Sequence, residues 1–157
     1  MDPAADLYLL KGKTDSLSAN IALGGSIIEL AKRHGTKVVL SIGGWETSNN
    51  FPQVSADPTK RANFAHWCIK HIEFYGFDGI DIDWEFPGYK KHNGTDQDRE
   101  NFTVLLQTIR DSLQILEDKS GKSLLLTVSL PAAAVHLLDI EVEKITSIVD
   151  YMNIMTY

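Results

Sequence analysis

Apolar and polar positions along this chain switch repeatedly between two periods. Ile27, Ile28, Leu30 and Ala31 form the apolar side of a short helix predicted over 26–34, and Gly35 stands where a C-terminal cap belongs. Val38 to Ile42 is a short, β-branched apolar run that stops at Gly43 and Gly44, which reads as a buried strand. Asp57 followed by Pro58 marks a helix start, and that helix should run to Tyr75 and end at Gly76. Phe77 to Trp84 reads as the second strand. A longer helix opens at Thr95 or Asp96. Its apolar residues Phe102, Leu105, Leu106, Ile109, Leu113 and Leu116 recur at steps of three and four, and Gly121 closes it. Leu124 to Leu130 is the third strand, stopped by Pro131; a helix over 139–149 and a fourth strand from Tyr151 to Tyr157 follow. Residues 1–25, rich in Ser, Gly and Asn from Asp6 onward, read as a loop, an insertion or the remnant of an earlier strand.

Strands alternating with helices are the signature of parallel βαβ units. Short apolar strands fit a sheet covered by helices. A doubly wound sheet and a (β/α)₈ barrel both obey this order, and periodicity alone does not choose between them.

Composition narrows the function classes. The chain has 157 residues, 43 % hydrophobic and 23 % charged, as in an ordinary globular domain. A net charge of -6 argues against a nucleic-acid surface. No run of about 18 apolar residues is available to span a membrane, and Met1 to Leu10 lacks the basic region and apolar core of a secretory leader. The single cysteine, Cys68, lies in an apolar helical stretch and reads as core. Sequons stand at Asn93 and Asn101.

The chemistry concentrates in Asp78-Gly-Ile-Asp81-Ile-Asp83-Trp-Glu85. Side chains alternate across a strand, so Asp81, Asp83 and Glu85 share one face and Ile80, Ile82 and Trp84 the other. Neighbours on one face lie roughly 6.5 Å apart at a rise of about 3.3 Å per residue. In a partly dry site, carboxyls that close cannot all ionise, and at least one keeps its proton near neutral pH. A retained proton is what a general acid needs. A surface strand of an antiparallel sheet would show the same alternation, but the surrounding pattern is parallel, and a covered acidic face needs partners or a purpose.

These residues resemble the DxxDxDxE signature of family-18 glycoside hydrolases, the chitinases and their relatives. Ser41-Ile-Gly43-Gly44-Trp45 is similar to that family's SxGG motif. Tyr151-Met-Asn153-Ile-Met155-Thr-Tyr157 is similar to its later strand motif, which usually ends Met-x-Tyr-Asp. The resemblance covers roughly 37–157 and implies an α/β fold, a partial (β/α)₈ barrel supplying strands three to six. It implies hydrolysis of chitin or chito-oligosaccharides, with the substrate's own N-acetyl oxygen as nucleophile and no metal or organic cofactor. By that resemblance Glu85 protonates the glycosidic oxygen and later activates water. Asp83 orients the acetamido group, Asp81 holds Asp83 through a shared proton, and Ser41 bonds Asp81. Tyr157 donates to the acetamido oxygen, while Gly43, Gly44, Trp45, Phe86 and Met155 border the sugar and Asp78 supports the motif. Gly43 and Gly44 would leave room for the ring. Trp45 either stacks on it or is a core tryptophan. Phe86 stands where relatives often carry tyrosine, so its substrate contact lacks a hydroxyl.

The remaining candidates read as structural. His34, His66, His71 and His92 are expected to be solvated or capping, the Lys90-Lys91-His92 run a solvated loop, and Trp67 helix packing. Met152 should face the helices, and His136, after the third strand, could line the rim. A complete barrel needs about 250 residues, so the chain is expected to be part of a longer enzyme, inactive alone, with open edges and an uncovered apolar inner face. Chitin lies outside cells, which implies an extracellular full-length form; oligomeric state is open. Three other readings stand beside the endo-acting chitinase: an endo-β-N-acetylglucosaminidase, a chitinase-like lectin and an inert fragment. The lectins of the family typically lack the acid at the position of Glu85.

Overall fold

The computed structural model describes residues 27–157. Helix α1 (Ile27–Arg33) buries only Ile28, with Ile27 and Leu30 exposed, so its apolar side is narrower than the pattern suggested. Gly35 takes the left-handed conformation after it. Strand β1 (Val39–Gly43) leads into a 3₁₀ turn and a helix that periodicity did not reveal, α2 (Phe51–Ala56). Helix α3 (Pro58–Tyr75) begins as predicted: the Asp57 carboxylate accepts the orphan amides of Thr59 at 2.8 Å and Lys60 at 3.0 Å. It ends on left-handed Gly76.

Strand β2 (Gly79–Asp83) is followed by α4 (Asp98–Ser120), β3 (Leu125–Pro131), α5 (Ala134–Leu137), α6 (Val142–Ile145) and β4 (Tyr151–Met155). Helix α4 starts at Asp98 because the Asp98 carboxylate accepts from the backbone amide of Thr95 at 2.9 Å and from its hydroxyl at 2.6 Å. The Asp98 carboxylate thus holds both polar hydrogens of Thr95, and Thr95 and Asp96 stay outside the helix. Of the helix expected over 139–149 only the single turn α6 forms, with α5 lying before it, and β4 stops two residues short of Tyr157. No helix among the described residues is long and apolar enough to cross a membrane.

The strands lie in the order β1-β2-β3-β4, all parallel. A doubly wound sheet reverses its order at a switch point, and this one does not. Among the described residues its helices pack on one face. On that face Ile80, Ile82, Leu126 and Val128 are wholly buried against Cys68 and Ile72 of α3 and Leu105, Leu106 and Ile109 of α4. Each such side chain contributes about 1.5–3 kcal/mol on leaving water. One-way winding with helices outside is the arrangement of a (β/α)₈ barrel, of which these strands form part. Cys68 is core as expected, its thiol pushed up to about 12 by burial, and Met152 packs toward the helices. The inner face departs from expectation. Its centre is polar, built from Ser41, Asp81, Asp83, Thr127, Ser129 and Asn153, because the acids of β2 draw donors from both neighbouring sides.

Candidate active site

The alternation along β2 puts Asp81 and Asp83 on the inner face and Trp84 outside, where it is buried and stacks on Phe51 at 5.3 Å. Asp81 is 6 % exposed. In register it faces Ser41 on β1 and Thr127 on β3. Ser41 donates to its Oδ2 at 2.7 Å and Ser129 at 3.1 Å, while Thr127 donates to Oδ1 at 2.6 Å and Asn153 at 3.3 Å. Four donors thus occupy the acceptor sites of one buried carboxylate. The Ser41 contact was expected. Thr127, Ser129 and Asn153 were not, although two polar residues spaced two apart in an otherwise apolar third strand were the available signal. Among the described residues Asp81 bonds these donors and not Asp83, so the expected shared proton is not part of this arrangement.

Asp83 is half-buried, and its Oδ1 has no partner among the described residues. Burial, then the charge of Glu85, then that of Asp81, push its carboxyl up to about 6. The fold thus pushes the Asp83 carboxyl toward neutral pH. Glu85 lies two residues on, half-buried, with its backbone amide donating to Ser48 Oγ at 3.0 Å. The Glu85–Phe86 peptide is cis.

The two glycines of the β1 end do different work. Gly43 has φ of +124°, and a Cβ there would sit 2.0 Å from the Asp83 carbonyl oxygen; it lets the β1 and β2 backbones meet. That corrects the idea that it leaves room for a sugar. A Cβ on Gly44 would come 3.8 Å from Asp83 Oδ2, so Gly44 is the glycine that borders the site. Asp78 is a strand clamp at the other end of β2: its Oδ2 accepts from Val38 N at 2.8 Å, roughly 16 Å from Asp83 at the strand rise. Met155 ends β4, half-buried. Tyr157 lies beyond it, fully exposed. No cluster of three His, Cys, Asp or Glu able to hold a metal occurs among the described residues.

Residues 11–157 match the family described as Glycosyl hydrolases family 18. The chain belongs to that family. It is 38 % identical to chitinase A1 of Niallia circulans over 162 residues, which is 97 % of this chain and 23 % of that protein. Among solved structures it is similar to a chitinase from Bacillus thuringiensis, with a TM-score of 0.82 and 35 % identity over 96 % of this chain and 26 % of the other. It is also similar to catalytic domain 2 of the group II chitinase of Ostrinia furnacalis, a mutant in complex with (NAG)5. There the TM-score is 0.74 and the identity 26 %, over 83 % of this chain and 34 % of that one. The chain spans about a quarter to a third of the length of these relatives.

In this family-18 chain aromatic rings gather around Trp45, the residue after Gly44. Trp45 is 51 % exposed, which removes the core reading of that residue. Its ring meets His92 at 4.5 Å, Tyr89 at 5.9 Å and Phe86 at 6.4 Å. Phe86 stacks on His136 at 4.4 Å. His92, expected in a solvated loop, turns inward, and Tyr89 had not been singled out. Both fall in the β2–α4 loop, which Asp98, wholly buried, ties down by accepting from Gly88 N at 3.0 Å.

Proposed function

We propose that the gene product carrying this chain hydrolyses β-1,4-linked N-acetylglucosamine polymers, chitin and its oligosaccharides, by endo-acting, retaining, substrate-assisted catalysis outside the cell. The observation that supports this most is Asp83: a half-buried carboxyl raised to about 6, with a free buried oxygen, at the end of β2 two residues before Glu85, whose charge is among the causes of that rise. The Glu85 carboxyl gives its proton to the glycosidic oxygen as the C1–O bond breaks. The acetamido carbonyl oxygen of the same sugar forms the new bond to C1, giving an oxazolinium. The Asp83 carboxylate accepts from the acetamido N–H, which fixes the group for attack and offsets the positive charge that develops. Glu85, now a carboxylate, takes a proton from water as the water oxygen bonds C1 and the ring opens. Asp81, anchored by Ser41, Thr127, Ser129 and Asn153, holds the floor beneath Asp83. Tyr157, of the same strand parity as Met155, donates its hydroxyl to the acetamido oxygen, and Gly44, Trp45 and Phe86 line the sugar path.

The test is product analysis by proton NMR on the gene product carrying these residues. Chito-oligosaccharides should yield the β-anomer first, and cello-oligosaccharides, which lack the acetamido group, should remain uncut. First appearance of the α-anomer, equal cleavage of both sugars, or binding of chitin without turnover would each overturn the proposal.

A further inference from the structure

Glu85 stands beyond the point where the sheet holds β2. The last strand pair is Gly43 with Asp83, and the last ladder-like bond runs from Gly44 N to the Asp83 carbonyl at 2.8 Å. Two side chains from separate loops take over where the ladder ends. Ser48, wholly buried in the 3₁₀ turn after β1, accepts from Glu85 N at 3.0 Å. Its hydroxyl oxygen lies 2.8 Å from Gly44 O and 3.2 Å from Asp83 O and donates its one proton between them, so the same oxygen joins the β1 loop to the end of β2. On the other side of Glu85, His92 Nδ1 lies 2.6 Å from the Glu85 carbonyl oxygen. A carbonyl only accepts, so Nδ1 carries a proton in this arrangement. The same imidazole stands edge-on to Trp45 at 4.5 Å and 62°.

We propose that Ser48 and His92 are positioning residues that clamp the peptide units before and after Glu85, and that through this clamp they aim its carboxyl. The inference rests on Glu85 being the proton donor. Fixing the amide on one side and the carbonyl on the other fixes the direction of the Glu85 side chain. Misplacing a catalytic group by about 1 Å costs on the order of 10²-fold in rate. His92 in addition ties the backbone of the acid to the exposed Trp45 ring.

The test separates the two uses of the His92 ring in the gene product carrying these residues. His92→Phe keeps a ring against Trp45 and removes the donor. His92→Asn keeps a donor near the place of Nδ1 and removes the ring. On a soluble chito-oligosaccharide, His92→Phe should lower kcat on the order of 10-fold to 10²-fold with KM nearly unchanged, by the cost of misplacement. His92→Asn should restore most of kcat and raise KM. Ser48→Ala should lower kcat as His92→Phe does; if that variant does not fold, the His92 pair decides. Nitrogen-15 spectra of the wild-type imidazole, which need no turnover, should show the proton on Nδ1. A wild-type kcat in His92→Phe, or a ring protonated on Nε2 alone, would overturn the clamp. A wild-type protein without turnover overturns the reading of Glu85 itself, and the aiming role with it.

Discussion

Asparagine at position 83 keeps the shape of the side chain and removes an ionisable group that the fold displaces from its usual pKa. Burial is the largest cause, followed by the charges of Glu85 and Asp81, and together they raise Asp83 from 3.8 to about 6. Between those two values the native state binds more protons than the unfolded chain, so stability falls as pH rises through the window. At 1.36 kcal/mol per pH unit, the interval from 3.8 to about 6 corresponds to about 3 kcal/mol. Asp83 keeps contact with solvent, and screening reduces this to about 1 kcal/mol. The assay is urea unfolding of wild type and Asp83→Asn at a series of pH values spanning the window. Wild type should lose about 1 kcal/mol relative to the variant across it, with the loss complete above about pH 6. Because Glu85 is the second cause, Glu85→Gln should move the wild-type midpoint toward lower pH. A constant difference between wild type and Asp83→Asn over the whole range, or a wild type that gains on the variant as pH rises, would refute the reasoning.

Gly43→Ala should cost roughly 3 kcal/mol or more in thermal unfolding, since a Cβ at left-handed φ would lie 2.0 Å from the Asp83 carbonyl oxygen of the neighbouring strand. Asp98→Ala should cost about 2–3 kcal/mol by the same measurement, because Gly88 N, Thr95 N and the Thr95 hydroxyl all lose a wholly buried acceptor. The Cys68 thiol, buried and raised to about 12, should resist a disulfide reagent at neutral pH until denaturant unfolds the chain.

Much of this arrangement was legible in the residues because it follows from parity and from local signals. Period two placed Asp81 and Asp83 together and Trp84 opposite, and Asp57-Pro58 marked the start of α3 through a cap that needs only its own neighbours. The less legible parts depend on partners distant in sequence or on elements too short to show a period. Helix α2 has six residues, and α5 and α6 have four each, less than two turns, so no repeat could form. Ser48 looks like any turn serine until β2 arrives 37 residues later to use its hydroxyl. His92 sits beside two exposed lysines, and its inward turn is set by the Glu85 carbonyl and the Trp45 ring. The choice of barrel over doubly wound sheet likewise needed strand order, which periodicity does not carry. Asp78 was singled out by motif spacing as a supporting residue, and spacing alone did not show that its bond to Val38 lies at the end of β2 away from Asp83.

The central claim is that Glu85 delivers the proton that breaks the glycosidic bond. The most direct measurement is the rate of chitobiose release from chitin by the gene product carrying these residues, wild type against Glu85→Gln, with thermal midpoints confirming that both are folded. Loss of a general acid predicts a fall of about 10²–10⁴-fold. A Glu85→Gln variant that releases chitobiose within about twofold of the wild-type rate would contradict the account, since no general acid contributes so little.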